Sequence, residues 1–179
     1  DLEGIKIYSV AGNVADMLTA TGAGVVVAPA ARSYEIISGG TVDAFAGYPL
    51  YSATAFHTAQ YAKAVTDIPG QMSAPSFALF VNKKRWQAIS EADRKIVMDL
   101  SGEAFAARLE AIDQLEAKLR KDVADQGIPF IEADESLMTA FRTYGKKLRG
   151  DWITTAAELD VDGEAALKFY EQEAKANAQ

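Results

Sequence analysis

Cysteine is absent from the 179 residues, which excludes disulfides, thiolate nucleophiles and Cys-based zinc sites without fixing the compartment. Histidine occurs once. His57 has no companion at H-x-x-x-H or H-E-x-x-H spacing, and it reads as a mid-helix surface or packing residue rather than a ligand or base. Basic charge is scarce: 18 Lys and Arg stand against 25 Asp and Glu, for a net charge of −7. That balance does not supply the phosphate-neutralising patch of a nucleic-acid binder, so none is expected. A basic cluster, Lys146, Lys147 and Arg149, reads as a solvated helix end. Long apolar runs are missing too. The longest, residues 23–31, contains Gly24 and Pro29 and falls short of a membrane span. Phosphate loops, a G-x-S-x-G elbow and calcium-loop spacing are likewise not found, and neither cofactor nor metal is expected.

What is present is a chain 49% hydrophobic and 24% charged, enough for a real core. A long amphipathic stretch organises it. Ser90 with Asp93 is a helix start signal, and Gly127 followed by Pro129 is a stop. Between them Ile96, Leu100, Ala104, Ala107, Ala111, Leu115, Leu119 and Val123 keep a three-to-four spacing, with Gly102 the weak point. Unbroken, residues 91–126 would run about 54 Å, while a compact globule of this length is only roughly 40 Å across. The spacing therefore predicts one nearly continuous helix touching two separately packed sheets; the alternative is a bend at Ser101-Gly102 over one core.

Ahead of it, strand, helix, strand, helix and strand follow at residues 5–10, 14–20, 25–28, 34–38 and 41–45, with Asn13 and Ser33 as helix caps. This order predicts a parallel sheet with right-handed crossovers. Ligands in such sheets lie beyond the carboxyl ends of the strands. Tyr8, Asn13, Tyr48 and Tyr51 fall at or just past those ends, and Phe77 lies where the chain crosses back. These residues either plug the sheet end or line one concave small-molecule site. Further expectations are a helix at 52–64, a strand at 76–82 buried on both faces, a short strand at 129–131, and helices at 136–148 and 152–158 separated at Gly150. A last helix after Asp162-Gly163-Glu164 should pack Ala166, Phe169 and Tyr170 back on the body.

Asp1-Leu2-Glu3-Gly4-Ile5-Lys6-Ile7, Val14-Ala15-Asp16-Met17-Leu18, Gly22-Ala23, Pro29, Ser38-Gly39-Gly40-Thr41-Val42-Asp43, Pro49-Leu50 and Val81-Asn82-Lys83-Lys84-Arg85-Trp86 follow in the order of one family. The chain resembles the periplasmic solute-binding proteins of TRAP transporters, the family 7 extracellular solute-binding proteins. The resemblance implies an α/β periplasmic-binding-protein-like fold of type II, with two lobes and a long helix spanning both. It implies that the sequence is a C-terminal portion lacking the N-terminal part of the first lobe. Residues 1–73 would form the second ligand-binding lobe, 74–113 would return to the first, and 114–179 would return to the second and wrap behind.

The implied function is that of a non-enzymatic, monomeric periplasmic receptor delivering a small polar solute to TRAP membrane subunits; a ligand-sensing domain for a membrane receptor is the alternative, and an enzyme on the same scaffold has no activated nucleophile to support it. Where the family carries a carboxylate-binding arginine this chain has Tyr8. Gly47 or Tyr48 takes the place of an assisting asparagine, and Ala30 that of an aromatic. Arg32 is the remaining candidate cation in these loops. Among organic acid, polyol and amine solutes, the exchange of arginine for tyrosine favours a neutral polyol or an amine, met by a phenol proton or a ring face.

Overall fold

A computed structural model describes residues 2–70, 72 and 78–176. The strands β1 (Lys6–Ser9), β2 (Gly24–Val27) and β3 (Ala44–Ala46) form a parallel sheet in the order β2-β1-β3. Helix α1 (Asn13–Ala20) makes the first crossover and α2 (Ser33–Ser38) the second. In register, Ile7 stands beside Val25 and Ala44, and Tyr8 beside Val26 and Phe45. Side chains alternate along a strand, so these two rows lie on opposite faces. The Ile7 row packs on Val14, Met17 and Leu18 of α1 and on Phe141 to form the core. The Tyr8 row is the one that builds the candidate site.

Asn13 does not cap α1. The residue before the helix is Gly12 at φ 129, with no side-chain cap, and Asn13 is the first helical residue and exposed. The expected helix at 52–64 is shorter than the pattern suggested. It comprises α3 (Leu50–Ala55) and a separate 3₁₀ turn at Ala59–Tyr61. His57 sits between them at φ 56 and is exposed, so it lies in a left-handed turn rather than at mid-helix.

A second, two-stranded parallel sheet pairs β4 (Val65–Asp67) with β5 (Phe130–Glu132). Residues 78–82 form no strand, and Leu79 and Phe80 are 91% and 88% exposed; the remainder of the expected strand lies outside the described residues. Alternation alone does not make a strand: a strand exists only against a partner's ladder, and none faces this segment among the described residues.

The long helix is not continuous. Ser90 does cap α5 (Glu91–Asp99), accepting from Asp93 N–H at 3.1 Å and donating to its carboxylate at 2.7 Å. The chain then breaks at residues 100–102, where Gly102 takes φ 60 and ψ −129, and α6 (Glu103–Asp125) begins. That backbone conformation is outside the helical region and is open chiefly to glycine. The stop at Gly127 is as expected, with φ 81.

Helix α4 (Lys83–Ala88) precedes α5 and is capped by Asn82, which accepts from Lys84 N–H at 3.0 Å. Helix α7 (Glu135–Glu158) runs through Gly145 and Gly150 without interruption. The separation expected at Gly150 is absent because neither glycine has a positive φ, and the basic cluster of Lys146, Lys147 and Arg149 is mid-helix rather than at a helix end. Helix α8 (Gly163–Ala176) lies on α7 at the buried Gly163, but Phe169 and Tyr170 face solvent instead of packing back.

Candidate functional site

The site lies on the Tyr8 face, at the carboxyl ends of β1 and β3. Tyr8 is fully buried, and its hydroxyl donates to the carbonyls of Ala28 at 3.2 Å and Pro29 at 3.3 Å, tying the end of β1 to the loop after β2. Its ring centroid is 6.3 Å from that of Tyr48. Tyr48 stands at the centre of the cluster. It stacks on Phe45 at 5.8 Å and meets Phe56 edge-on at 6.2 Å. These distances fall in the range where offset and edge-to-face aromatic pairs are favourable.

The protons of this cluster can be assigned. Thr58 Oγ1 lies 3.1 Å from the Ala53 carbonyl, an acceptor only, and 3.2 Å from the Tyr48 hydroxyl; the arrangement that satisfies all three groups has Thr58 donating to the carbonyl and the phenol donating to Thr58. Both tyrosine protons are therefore committed inside the protein, Tyr8's to carbonyls and Tyr48's to Thr58. The phenol donor expected of Tyr8 is not free, and its ring has no exposed face for an ammonium group. Towards any further partner only the half-buried Tyr48 is accessible, and its oxygen offers a lone pair. Burial pushes the Tyr8 phenol above its ordinary value, and the neighbouring Tyr48 adds to that. Burial does the same to Tyr48, against the pull of the Thr58 and Ser33 hydroxyls. Ser33 Oγ is buried without a hydrogen bond of good geometry, although it acts on the Tyr48 phenol beside it.

Gly47 makes the turn that delivers Tyr48. It has φ 93, and a Cβ there would lie 2.9 Å from Ser9 Oγ, so the turn runs directly over β1. Tyr51 is half-buried in the first turn of α3, and its N–H donates to Glu116 of α6 at 2.9 Å, beside a 2.8 Å bond from Leu50 N–H to the same carboxylate.

The structure thus joins Tyr8 and Tyr48 directly and places Gly47 and Tyr51 on the Tyr48 loop. It leaves Asn13 exposed at the head of α1 and Arg32 exposed beside α2, its Nε 3.5 Å from Glu35. Phe77 lies outside the described residues. Sequence reasoning missed Phe45, Phe56, Ser33, Thr58 and Glu116. Phe45 was open to discovery, since strand alternation puts it in the Tyr8 row. Among the described residues no group of His, Asp and Glu is placed to hold a metal, and no helix is long and apolar enough to cross a membrane.

Comparison with known proteins agrees with this architecture. The outer membrane transporter protein TsaT of Comamonas testosteroni is 46% identical over 176 residues, which is 98% of this chain and 52% of that protein. A TRAP periplasmic solute-binding protein from Bordetella bronchiseptica, solved with (R)- and (S)-mandelate, superposes with a TM-score of 0.81 at 28% identity, over 97% of this chain and 55% of that one. A marine metagenome TRAP solute-binding protein specific for aromatic acid ligands, solved with metahydroxyphenylacetate, gives 0.77 at 22% identity, over 99% and 57%. The chain spans about half the length of these relatives. Its residues 1–153 match the family described as bacterial extracellular solute-binding protein, family 7. That match covers most of the chain, and the chain belongs to the family 7 extracellular solute-binding proteins.

Proposed function

We propose that this chain forms most of one lobe, and part of the other, of a monomeric periplasmic receptor. The receptor captures a small ring-bearing carboxylate that also carries a hydroxyl, and delivers it to the membrane subunits of a TRAP transporter. The observation that carries this reading is the Tyr8–Tyr48–Phe45–Phe56 cluster with its hydroxyl protons already committed. Aromatic walls suit a ring, and the half-buried Tyr48 oxygen, its proton committed to Thr58, suits a ligand that donates. Arg32 is the only basic residue in the three strand-end loops at 10–13, 28–33 and 47–51. Its two terminal nitrogens have no hydrogen bond to Glu35, so a carboxylate can take them at the cost of one exposed, weak ion pair. The mandelate held by the Bordetella bronchiseptica relative has this chemistry: ring, hydroxyl and carboxylate. The polyol and amine classes lose their support, since it rested on a free Tyr8 phenol or ring face.

The rest of the cleft comes from outside the lobe described by residues 1–73 and 114–179. Residues 74–113 are its contribution to the other lobe. Supporting this are the exposed Leu79 and Phe80, and the exposed Ile96 and Met98 of α5 and Phe105 of α6. Each such side chain stabilises by up to about 1.5–3 kcal/mol when covered. Closure of the two lobes around the solute is the capture step.

Calorimetry on the protein as its gene encodes it, with mandelate, phenylacetate, a polyol and an aliphatic amine, tests the reading. Mandelate should bind about three- to tenfold more tightly than phenylacetate, which lacks only the hydroxyl, as one hydrogen bond predicts. Preference for phenylacetate, or for the polyol or amine, would overturn it.

A further inference from the structure

We propose that Glu116 is a positioning residue for the solute site, holding the Tyr48–Tyr51 loop in its binding orientation from helix α6. The inference rests on the reading of Tyr48 and Tyr51 as solute-binding groups. Helix α3 begins after Pro49, which has no side chain able to cap it and makes no capping hydrogen bond. The first N–H groups of a helix need acceptors from elsewhere. Here they are met from 66 and 65 residues away, Leu50 N–H by Glu116 Oε1 at 2.8 Å and Tyr51 N–H by Oε2 at 2.9 Å. A carboxylate also complements the positive end of the helix.

The geometry makes this more than a cap. The loop has two fixed ends: Gly47 is packed on Ser9 of β1, and Leu50 and Tyr51 are bound by Glu116. Tyr48 lies between them, so its ring direction is set by both ends. Glu116 is itself held in place one turn away. Arg120 lies 4.1 Å over the Phe130 ring and forms a two-pronged ion pair with Asp67, which bolts this half of α6 to the β4–β5 sheet. The other half of the same helix carries the exposed Phe105, Leu109 and Ile112. Whatever covers that face bears on α6, and Glu116 is where α6 touches the solute loop.

The test compares Glu116→Gln, which keeps size and one acceptor, and Glu116→Ala with the unaltered protein as its gene encodes it. Hydrogen exchange and (R)-mandelate calorimetry are run at a temperature where all three are folded. The expected result is exchange at Leu50 and Tyr51 accelerated about tenfold or more, with β1 and α1 unchanged, and (R)-mandelate affinity weakened by about tenfold. A residue acting only on stability would lower the melting temperature and leave affinity of the folded protein alone. Unchanged exchange at Leu50 and Tyr51, or faster exchange with unchanged affinity, overturns the proposal. Should the unaltered protein not bind (R)-mandelate, the solute assignment fails. The exchange arm then decides alone whether Glu116 fixes the loop: confined acceleration supports it, and none refutes it.

Discussion

Replacing Gly47 by alanine adds one methyl group at a crowded point of the candidate site. The backbone there has φ 93, and the new Cβ would sit 2.9 Å from Ser9 Oγ, 3.5 Å from Val14 Cγ1 and 3.6 Å from Val10 Cγ2. Ser9 is fully buried, so its hydroxyl has nowhere open to retreat. The left-handed backbone costs an L-residue about 1–2 kcal/mol, and overpacking a filled site costs about 1–3 kcal/mol more. Together these give roughly 2–5 kcal/mol, or a fall of about 4–20 °C in the melting temperature of a protein of this size. Gly40 supplies the control, because it has φ 65 but nothing within 4 Å of a new Cβ. Gly40→Ala should therefore cost only the backbone part, about 1–2 kcal/mol. Thermal and urea unfolding of the two variants side by side isolate the steric part. If Gly47→Ala is no worse than Gly40→Ala, the turn that delivers Tyr48 is not seated on β1 as described, and the account of the loop fails with it.

Two other outcomes are open to direct measurement. Gly145→Ala and Gly150→Ala in α7 meet nothing within 4 Å and should each stabilise by about 0.5–1 kcal/mol in denaturant unfolding; destabilisation by either would show that the helix is interrupted after all. Tyr8 and Tyr48, whose phenols burial pushes above the ordinary value of 10.0, should make the protein sensitive to alkali. The unfolded chain releases these protons from about pH 10 upward while the folded protein still holds them, so stability is intact below that pH and falls above it. The urea midpoint should drop between pH 10 and 11, and less steeply in Tyr8→Phe; a midpoint that rises with pH would refute the burial of these groups.

The first five elements were legible because each carries a local signal. Alternation and short apolar runs mark β1 and β2, and Gly22, Pro29 and Gly39 punctuate between them. The glycines of the long helices were not legible, and they show why. Gly102 and Gly150 occupy similar settings in the sequence, yet the first breaks the helix at φ 60 and the second continues it. Composition states only that glycine permits either conformation; the surrounding contacts choose. The site was half-readable for a similar reason. Tyr8 and Tyr48 follow from the rule that strand ends face the ligand, whereas the Glu116 bond to α3 joins residues with no periodic relation. The commitment of the phenol protons needed the positions of the Ala28, Pro29 and Ala53 carbonyls, which no pattern of residue types records.

The expectation of two lobes rested first on helix length, and that ground has gone. Split at Gly102, neither α5 nor α6 is too long for one globule. The fold rests instead on the family match over residues 1–153 and on the superposition with a TRAP solute-binding protein. A finished lobe buries its apolar stripe, but here many exposed large side chains follow one another along the chain, from Leu79 through Ile96, Met98 and Leu100 to Phe105, Leu109 and Ile112, while others, such as Ile131, Leu159, Phe169 and Tyr170, lie elsewhere. Isolated exposed leucines need no explanation, whereas a run of this extent marks a surface that another body covers. The second half of α6 shows the contrast. There Glu116 reaches α3, Arg120 reaches Asp67 and Phe130, and Val123 is buried. The first half of α6, just after the break at Gly102, is thus the more exposed, and the second half the more packed, although Leu115 there is exposed as well. The same division explains why the apolar pattern of residues 90–126 looked uniform in the sequence: both halves are built to be buried, but only one finds its cover within these residues.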